Sequence, residues 1–566
     1  MISNGCSFGV LAMAILGACA VPVHAQSAAP SRVTPQTAAP EVKRSDTSIS
    51  LPKSNFTVAP AGSENLSVAI AAVSIEGGDA AHAAETRRLA AAVEGRTVSV
   101  AELYGVAAQI EALYARSGFI LTRATVPPQD LKDGSTFRIV IVEGFIEAID
   151  DSAVPSAVRG PVARRLAGLV NARGLTLKQI ERRVLLAGRV PGVSLETTLV
   201  PGSQIGGARL VLRTQYRPLQ GGLSINNRLS NAYDNFSFDA QIVANSLLGQ
   251  GEQFYALGST ASDFDLVGKS PLRRVVGIGV FAPIGTNGLT LNEEYLHADT
   301  AAKPEPGALP VVGKLDRVAV KLRYPAILTR TETLNLSGGL EIVNESQAIA
   351  AFNTRISEDR LRFLTFGLEW GKAVSKHTVL GADLSFAQGL SGLGARSQAD
   401  ATQTGILLSR QGSRPDFSKI NAALTLNQQL GHTIRADLIL RGQASLSGAL
   451  PSAAQFSLDG SDGLSGFSIG SINVDSGVTA RLELSRAFHL NTSASAMPYI
   501  FAAVAKATLS QPSAVEFKHP DGWSIGGGLR TELGTHISLS GELARSHSNI
   551  FVKDQTRFTA SVSFKF

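Results

Sequence analysis

This 566-residue chain has two cysteines, Cys6 and Cys19, and none beyond them. Residues 1–25 read as a secretory signal, with an apolar stretch from Phe8 to Val23 and a small-x-small site at Val23-His24-Ala25. Cleavage after Ala25 leaves no thiol, which excludes disulfides and thiolate metal sites. The segment has no Lys or Arg at its start, and Leu16-Gly17-Ala18-Cys19 matches a lipoprotein box, an alternative processing route that would retain an acylated Cys19. Beyond the signal there is no run of about 18 apolar residues, so no helix is expected to span a membrane. The nine histidines are scattered without H-E-x-x-H, and no Walker-type loop occurs, which leaves metal and nucleotide chemistry without support. Residues 466–470 and 522–526 both spell G-x-S-x-G, but neither opens a helix, the context that a hydrolase nucleophile requires. No catalytic residue, metal or cofactor is expected, and the chain is not read as an enzyme. Its net charge of +6 is spread among residues of both signs, without the basic stripe that nucleic acid demands.

What is present falls into four parts after the signal. Residues 26–64 are rich in Ala, Pro, Ser and Thr, and Pro30, Pro35, Pro40, Pro52 and Pro60 leave no room for a useful helix. A flexible tether is expected. Residues 65–149 read as a small α+β module in the order strand, helix, helix, strand, strand. Its second helix opens on a Ser99/Glu102 capping box, runs through Leu103, Val106, Ala107, Ile110, Leu113 and Tyr114, and stops at Gly118. Its final hairpin, from Phe119 to Val126 and from Thr136 to Ile149, breaks at Pro127-Pro128 and is expected to expose a strand edge. A second module, 150–216, has a Thr176/Gln179 box and two strands joined across Pro201-Gly202.

From 217 to 566 helical periodicity gives way to alternation. Phe558, Ala560, Val562, Phe564 and Phe566 face one way, and Arg557, Thr559, Ser561, Ser563 and Lys565 the other. About sixteen strands are expected, starting near 220, 236, 252, 273, 288, 314, 332, 359, 376, 417, 432, 477, 496, 521, 536 and 556. Tight connections such as Leu430-Gly431 alternate with long ones at 299–313, 344–358, 388–416 and 446–476, as in a transmembrane β-barrel with short periplasmic turns. The same alternation points Arg435, Asp437, Arg441, Arg481, Glu483, Arg530, Glu532, Glu542 and Arg557 into the lumen. Each of these also suits a plain salt-bridged, hydrated wall.

Three stretches, "ALYARSGFILTRATVPPQDLKDGSTFRIVIVEGFIEAI", "ERRVLLAGRVPGVSLETTLVPGSQIGGARLVL" and "FTASVSFKF", resemble the outer-membrane transporters of two-partner secretion, the haemolysin secretion/activation group. The resemblance covers nearly all of residues 66–566. It implies two periplasmic POTRA domains before a sixteen-stranded barrel in the outer membrane of a Gram-negative bacterium. The implied cargo is one large, unfolded, β-helical exoprotein with an N-terminal secretion domain, exported without ATP. Strand addition to the POTRA 1 helix and hairpin would recognise it, with Tyr114, Phe119, Leu121, Gln129, Phe137 and Ile139 as candidate residues. Further implied partners are outer-membrane lipid, lipopolysaccharide and the barrel-assembly machinery, the last reading Phe564 and Phe566. The family's sixth-loop motif corresponds to Leu464-Ser465-Gly466-Phe467, with Ser465 in the usual Arg position. Ala503 stands where the partner Asp of the barrel wall would be. Both halves of that ion pair are absent together, so either other contacts are expected to hold the loop, with Asp459 and Asp462 meeting lumen arginines, or the loop is expected to be more mobile than in relatives. A barrel-assembly factor shares this architecture but usually carries more POTRA domains, and a small-solute porin would need none.

Overall fold

The computed structural model describes residues 29–40, 48–50, 59–268, 271–514 and 516–566. The signal segment 1–25 and parts of the tether lie outside the described residues.

The first module holds strands Ser67–Gly77, Arg96–Ser99, Arg123–Thr125 and Ser135–Val142 and helices Ala83–Ala91 and Val100–Arg116. Its sheet order is 96–99, 67–77, 135–142, 123–125, with the two central strands parallel. The Ser99/Glu102 box forms in both directions, with Glu102 N donating to Ser99 Oγ at 3.1 Å. The helix turns Leu103, Val106, Ala107, Ile110 and Tyr114 onto Ile70, Phe137 and Ile139 to make the core. Strand Arg96–Ser99 was not expected. It is short and lies directly before the cap, so no period can be read from it.

The second module is built from strands Phe145–Ala153, Val193–Pro201 and Gly207–Tyr216 and helices Ser156–Leu166 and Leu177–Gly188, the latter on its Thr176/Gln179 box. Strand Phe145–Ala153 runs parallel to 207–216, so it belongs to this sheet and not to the first module's hairpin. The two modules join at Gly144, where a Cβ would lie 1.9 Å from the Leu121 carbonyl oxygen. The expected continuous run from Thr136 to Ile149 is therefore two strands.

The remaining chain closes as a sixteen-stranded antiparallel barrel, its twelfth strand interrupted at Ala487. Most of the observed starts lie within three residues of the expected ones. The last strand, Gln555–Lys565, pairs with the first, Leu219–Asn226, from Ser561↔Asn226 to Lys565↔Gly222. Outward positions such as Ile500, Ile525, Phe558 and Val562 are exposed, as lipid-facing side chains must be. No helix among the described residues is long and apolar enough to cross a membrane. One expected loop is much shorter: strands Glu332–Ile349 and Thr354–Ala373 run on past 344–358, leaving only 350–353 as the turn. Glu345 there is buried and accepts from Ser31 N, and Asp359 just beyond is buried and accepts from Ser409 N.

Candidate functional site

The fold offers unpaired main-chain groups at the sheet edges of its modules and polar side chains along the barrel's inner wall. In the first module the anticipated recognition residues are mostly structural. Tyr114, Phe137 and Ile139 are buried in its core, and Leu121 is buried in the core of the second module. Phe119 is half-buried, its ring edge-on to Tyr114 at 6.3 Å and to His82 at 5.7 Å. Gln129 covers an edge instead of offering one. Its amide accepts from Arg138 N at 2.8 Å and donates to Arg138 O at 3.0 Å, standing in for a neighbouring strand. The expected exposed hairpin edge is thus reduced to Arg123–Thr125, because 135–142 lies between two strands.

The long edge belongs to the second module. Strand Val193–Pro201 pairs with 207–216 on one side, and on the other it receives Ser48–Ser50 in parallel, in the register Ser48↔Glu196 to Ser50↔Thr198. Part of the presumed tether is therefore an added strand. The turn at the far end of this sheet is clasped by Glu147, which accepts from Ser203 N at 2.8 Å and from Gln204 N. The Ser203 hydroxyl and these amides hold the Glu147 carboxyl below its ordinary range.

Inside the barrel lies another part of the tether, residues 29–40. Ala29, Val33 and Ala38 are buried there, and only Pro30–Arg32 forms a short 3₁₀ turn. The proline spacing excluded a helix, as the sequence implied, but the segment is bound and not free. Glu294 accepts from Ala38 N at 2.9 Å, Ala39 N at 3.1 Å and Thr37 Oγ1 at 2.7 Å. Arg273 donates to Val33 O and Gln241 to Ala38 O, while Glu345 accepts from Ser31 N. None of these wall residues was singled out from the sequence. Alternation could place them inward, but nothing local names the segment they meet.

The long loop 446–475 folds back into the same lumen. Leu464, Ser465 and Phe467 are buried, and Leu464 and Phe467 pack with Ala503. A Cβ on Gly466 would stand 2.9 Å from Ser546 Cβ, so the loop tip touches the wall. The tip carries Ser465 and no cation, as expected, and a buried wall arginine meets it. Arg481, in register opposite Ala503, donates to Ser465 Oγ at 3.1 Å and pairs with Glu542 at 2.8 Å. Its guanidinium lies 3.5 Å over the Phe501 ring, and Glu483 joins it to Arg530, which stacks on Tyr499. Asp459 is buried within the loop and, among the described residues, pairs with no arginine: it accepts from Ile472 N at 2.8 Å, Ser457 Oγ at 2.8 Å and Gly470 N at 3.1 Å. Burial pushes its carboxyl up, and those donors oppose the shift. Asp462 makes a long contact with Arg441 at 3.7 Å, Arg435 pairs with Asp437 at 2.7 Å, and Arg557 binds Ser468. Glu532 accepts from Ser538 on its own rim. Phe564 and Phe566 are exposed on the outer face, and the Phe566 ring covers Gly221, where a Cβ would meet it at 2.3 Å.

Residues 206–525 match the family model described as Haemolysin secretion/activation protein ShlB/FhaC/HecB, and residues 68–144 match a POTRA domain, ShlB-type. The chain is 23% identical over 393 residues to the Heme/hemopexin transporter protein HuxB of Haemophilus influenzae strain 86-028NP, covering 68% of this chain and 66% of that protein. Over 228 residues it is 25% identical to the Outer membrane transporter CdiB of Escherichia coli, covering 40% of this chain and 37% of that one. In fold it resembles CdiB from Escherichia coli, with a TM-score of 0.69 at 20% identity over 91% of this chain and 92% of the other. BamA from Haemophilus ducreyi lacking POTRA domains 1-3 is more distant, with a TM-score of 0.51 at 13% identity over 88% and 100%. With the family model spanning more than half its length, the chain belongs to the haemolysin secretion/activation family of outer-membrane β-barrel proteins with periplasmic POTRA domains.

Proposed function

We propose that this protein is the outer-membrane transporter of a two-partner secretion pair, passing one large β-helical exoprotein of the haemolysin or adhesin type from the periplasm to the cell exterior. The observation that carries this reading is the strand 48–50 added to the edge Val193–Pro201. It supports a periplasmic module that takes an extended chain through main-chain hydrogen bonds, which any unfolded polypeptide can offer. The polar wall of Asp437, Arg481, Glu483 and Glu542 supplies a hydrated route beyond it. No nucleotide site is invoked, so the drive is capture on one side and folding on the other. Exposed Phe564 and Phe566 on the closing strand suit contact with lipid, with the acyl part of lipopolysaccharide and with the barrel-assembly machinery.

The test is a quantitative comparison of culture supernatant, cell surface and outer-membrane proteins with and without this gene. Loss of one large exoprotein with other barrels unchanged is the expected result. A joint fall of many outer-membrane barrels would instead make the protein an assembly factor.

A further inference from the structure

Helix Ser156–Leu166 of the second module carries Arg159, Arg164 and Arg165 and no acidic residue. Among the described residues none of the three pairs with a carboxylate. Arg159 donates to the carbonyls of Ser152 and Val154, Arg164 to Gln250 Oε1 at 3.0 Å, and Arg165 to Pro161 O at 2.8 Å. Glu252, the acid of the neighbouring barrel turn, is taken up by that turn's own amides, Leu248 N at 2.6 Å and Gln250 N at 3.0 Å. Arg159 and Arg164 are exposed, whereas Arg165 is 7% exposed, and burial beside Arg164 lowers its guanidinium to about 10.

The position of these cations sets them apart from an ordinary solvated helix face. The helix packs against the turn between barrel strands Ser237–Asn245 and Gln253–Thr260. A Cβ on Gly249 would lie 3.7 Å from Ala157 O, and one on Gly251 would lie 3.1 Å from Pro161 Cβ and 3.5 Å from Arg165 Nη1. The same turn exposes Leu247 and Leu248, at 62% and 68%, and the strands beside it expose Ile242 and Phe254. The lipid-facing band of the wall therefore runs down to the helix and ends on guanidiniums without carboxylate partners. An apolar band next to surplus positive charge matches the two halves of a phospholipid, its acyl chains and its phosphodiester. A zwitterionic headgroup brings its own ammonium, so the surplus favours an anionic one.

From this geometry we propose that Arg159, Arg164 and Arg165, with Leu247 and Leu248, form a docking site for an anionic glycerophospholipid of the periplasmic leaflet. The bound lipid ties the second module to the membrane surface beside the barrel. The inference rests on the barrel's place in the outer membrane and not on what the protein carries.

The experiment titrates the purified full-length protein in detergent with phosphatidylglycerol or with phosphatidylcholine of the same acyl chains, counting bound lipids by native mass spectrometry. Phosphatidylglycerol is expected to bind the more tightly and to slow amide exchange across 156–166 and 246–252. Arg164→Gln, at an exposed position, should weaken phosphatidylglycerol about fivefold, which corresponds to about 1 kcal/mol for one cation at a membrane surface, and leave phosphatidylcholine unchanged. Lys132→Gln, at an exposed position in the first module, should alter neither. Leu247→Ser with Leu248→Ser should weaken both lipids. Equal affinity for the two lipids, or equal losses from Arg164→Gln and Lys132→Gln, would overturn the site. Inorganic phosphate that slows exchange to the same extent would mark a pocket for free anions and overturn the lipid as its occupant. The exoprotein comparison is independent of these outcomes, so the transporter reading and the lipid site can fail separately.

Discussion

At the scale of single residues, the lumen shows how an ion pair can change address. The family pattern places a cation on the loop tip, but here Ser465 is on the tip and Arg481 on the wall opposite Ala503. Arg481 is 2% exposed and serves Ser465, Glu483 and Glu542 together. Arg481→Ala would leave two buried carboxylates without their shared cation, a class of change that costs about 3–5 kcal/mol. We expect a clear fall in the temperature at which the barrel unfolds on semi-native gels. Arg481→Lys should fall between, because an ammonium keeps the charge but lacks the planar fork. A second prediction concerns the loop tip itself. Gly466→Cys with Ser546→Cys should form a disulfide after a small shift, since the two Cβ positions are closer than the usual 3.5–4.5 Å of a disulfide. Absence of that crosslink in oxidised membranes would mean that the loop does not rest in the lumen. The same packing predicts that Ser465→Cys lies near Ala503→Cys, because Leu464 and Phe467 share a cluster with Ala503.

At the scale of elements, the capping boxes and the added strand make different demands. Ser99 starts a helix whose buried stripe forms much of the first module's core. Ser99→Ala should destabilise the module by about 1 kcal/mol, measured by denaturant unfolding of the full protein followed through hydrogen exchange in that helix. Strand 48–50 pairs with Val193–Pro201 through the backbone over three register positions. Ile49→Pro removes a backbone N–H and should release it, raising amide exchange at 196–198 while leaving the other side of the strand protected by 207–216. Unchanged exchange there would show that the pairing contributes nothing to the edge. Elements also explain the misplaced recognition residues. Alternation along 135–142 identifies which side chains share a face, but Phe137 and Ile139 face the module's own helix, a partner that alternation does not specify.

For the whole molecule, two inserted pieces meet in one lumen: the segment 29–40 from the N-terminal side and the loop 446–475 from the far rim. They touch each other, since Arg32 donates to Gln455 and a Cβ on Gly470 would lie 2.8 Å from Arg32 O. Deleting 29–40 should raise ion conductance in planar bilayers while the loop stays in place, and deleting the loop as well should raise it further. Equal conductance in the intact and shortened proteins would place the segment outside the pore.

What depends on neighbours a few residues apart can be read from the order of residues alone. Most strand starts, the two capping boxes and the lack of an α-helix between Pro30 and Pro40 were legible, because Cβ direction, caps and proline geometry are local. Tertiary structure alone decided which of those surfaces meet. Strand Phe145–Ala153 went to the second sheet, Tyr114, Phe137 and Ile139 went to a core, and residues 29–40 and 48–50 found partners more than 140 positions away. The loop tip met Arg481 only 16 positions along the chain, but through a fold-back of the loop onto the barrel wall that no local period records.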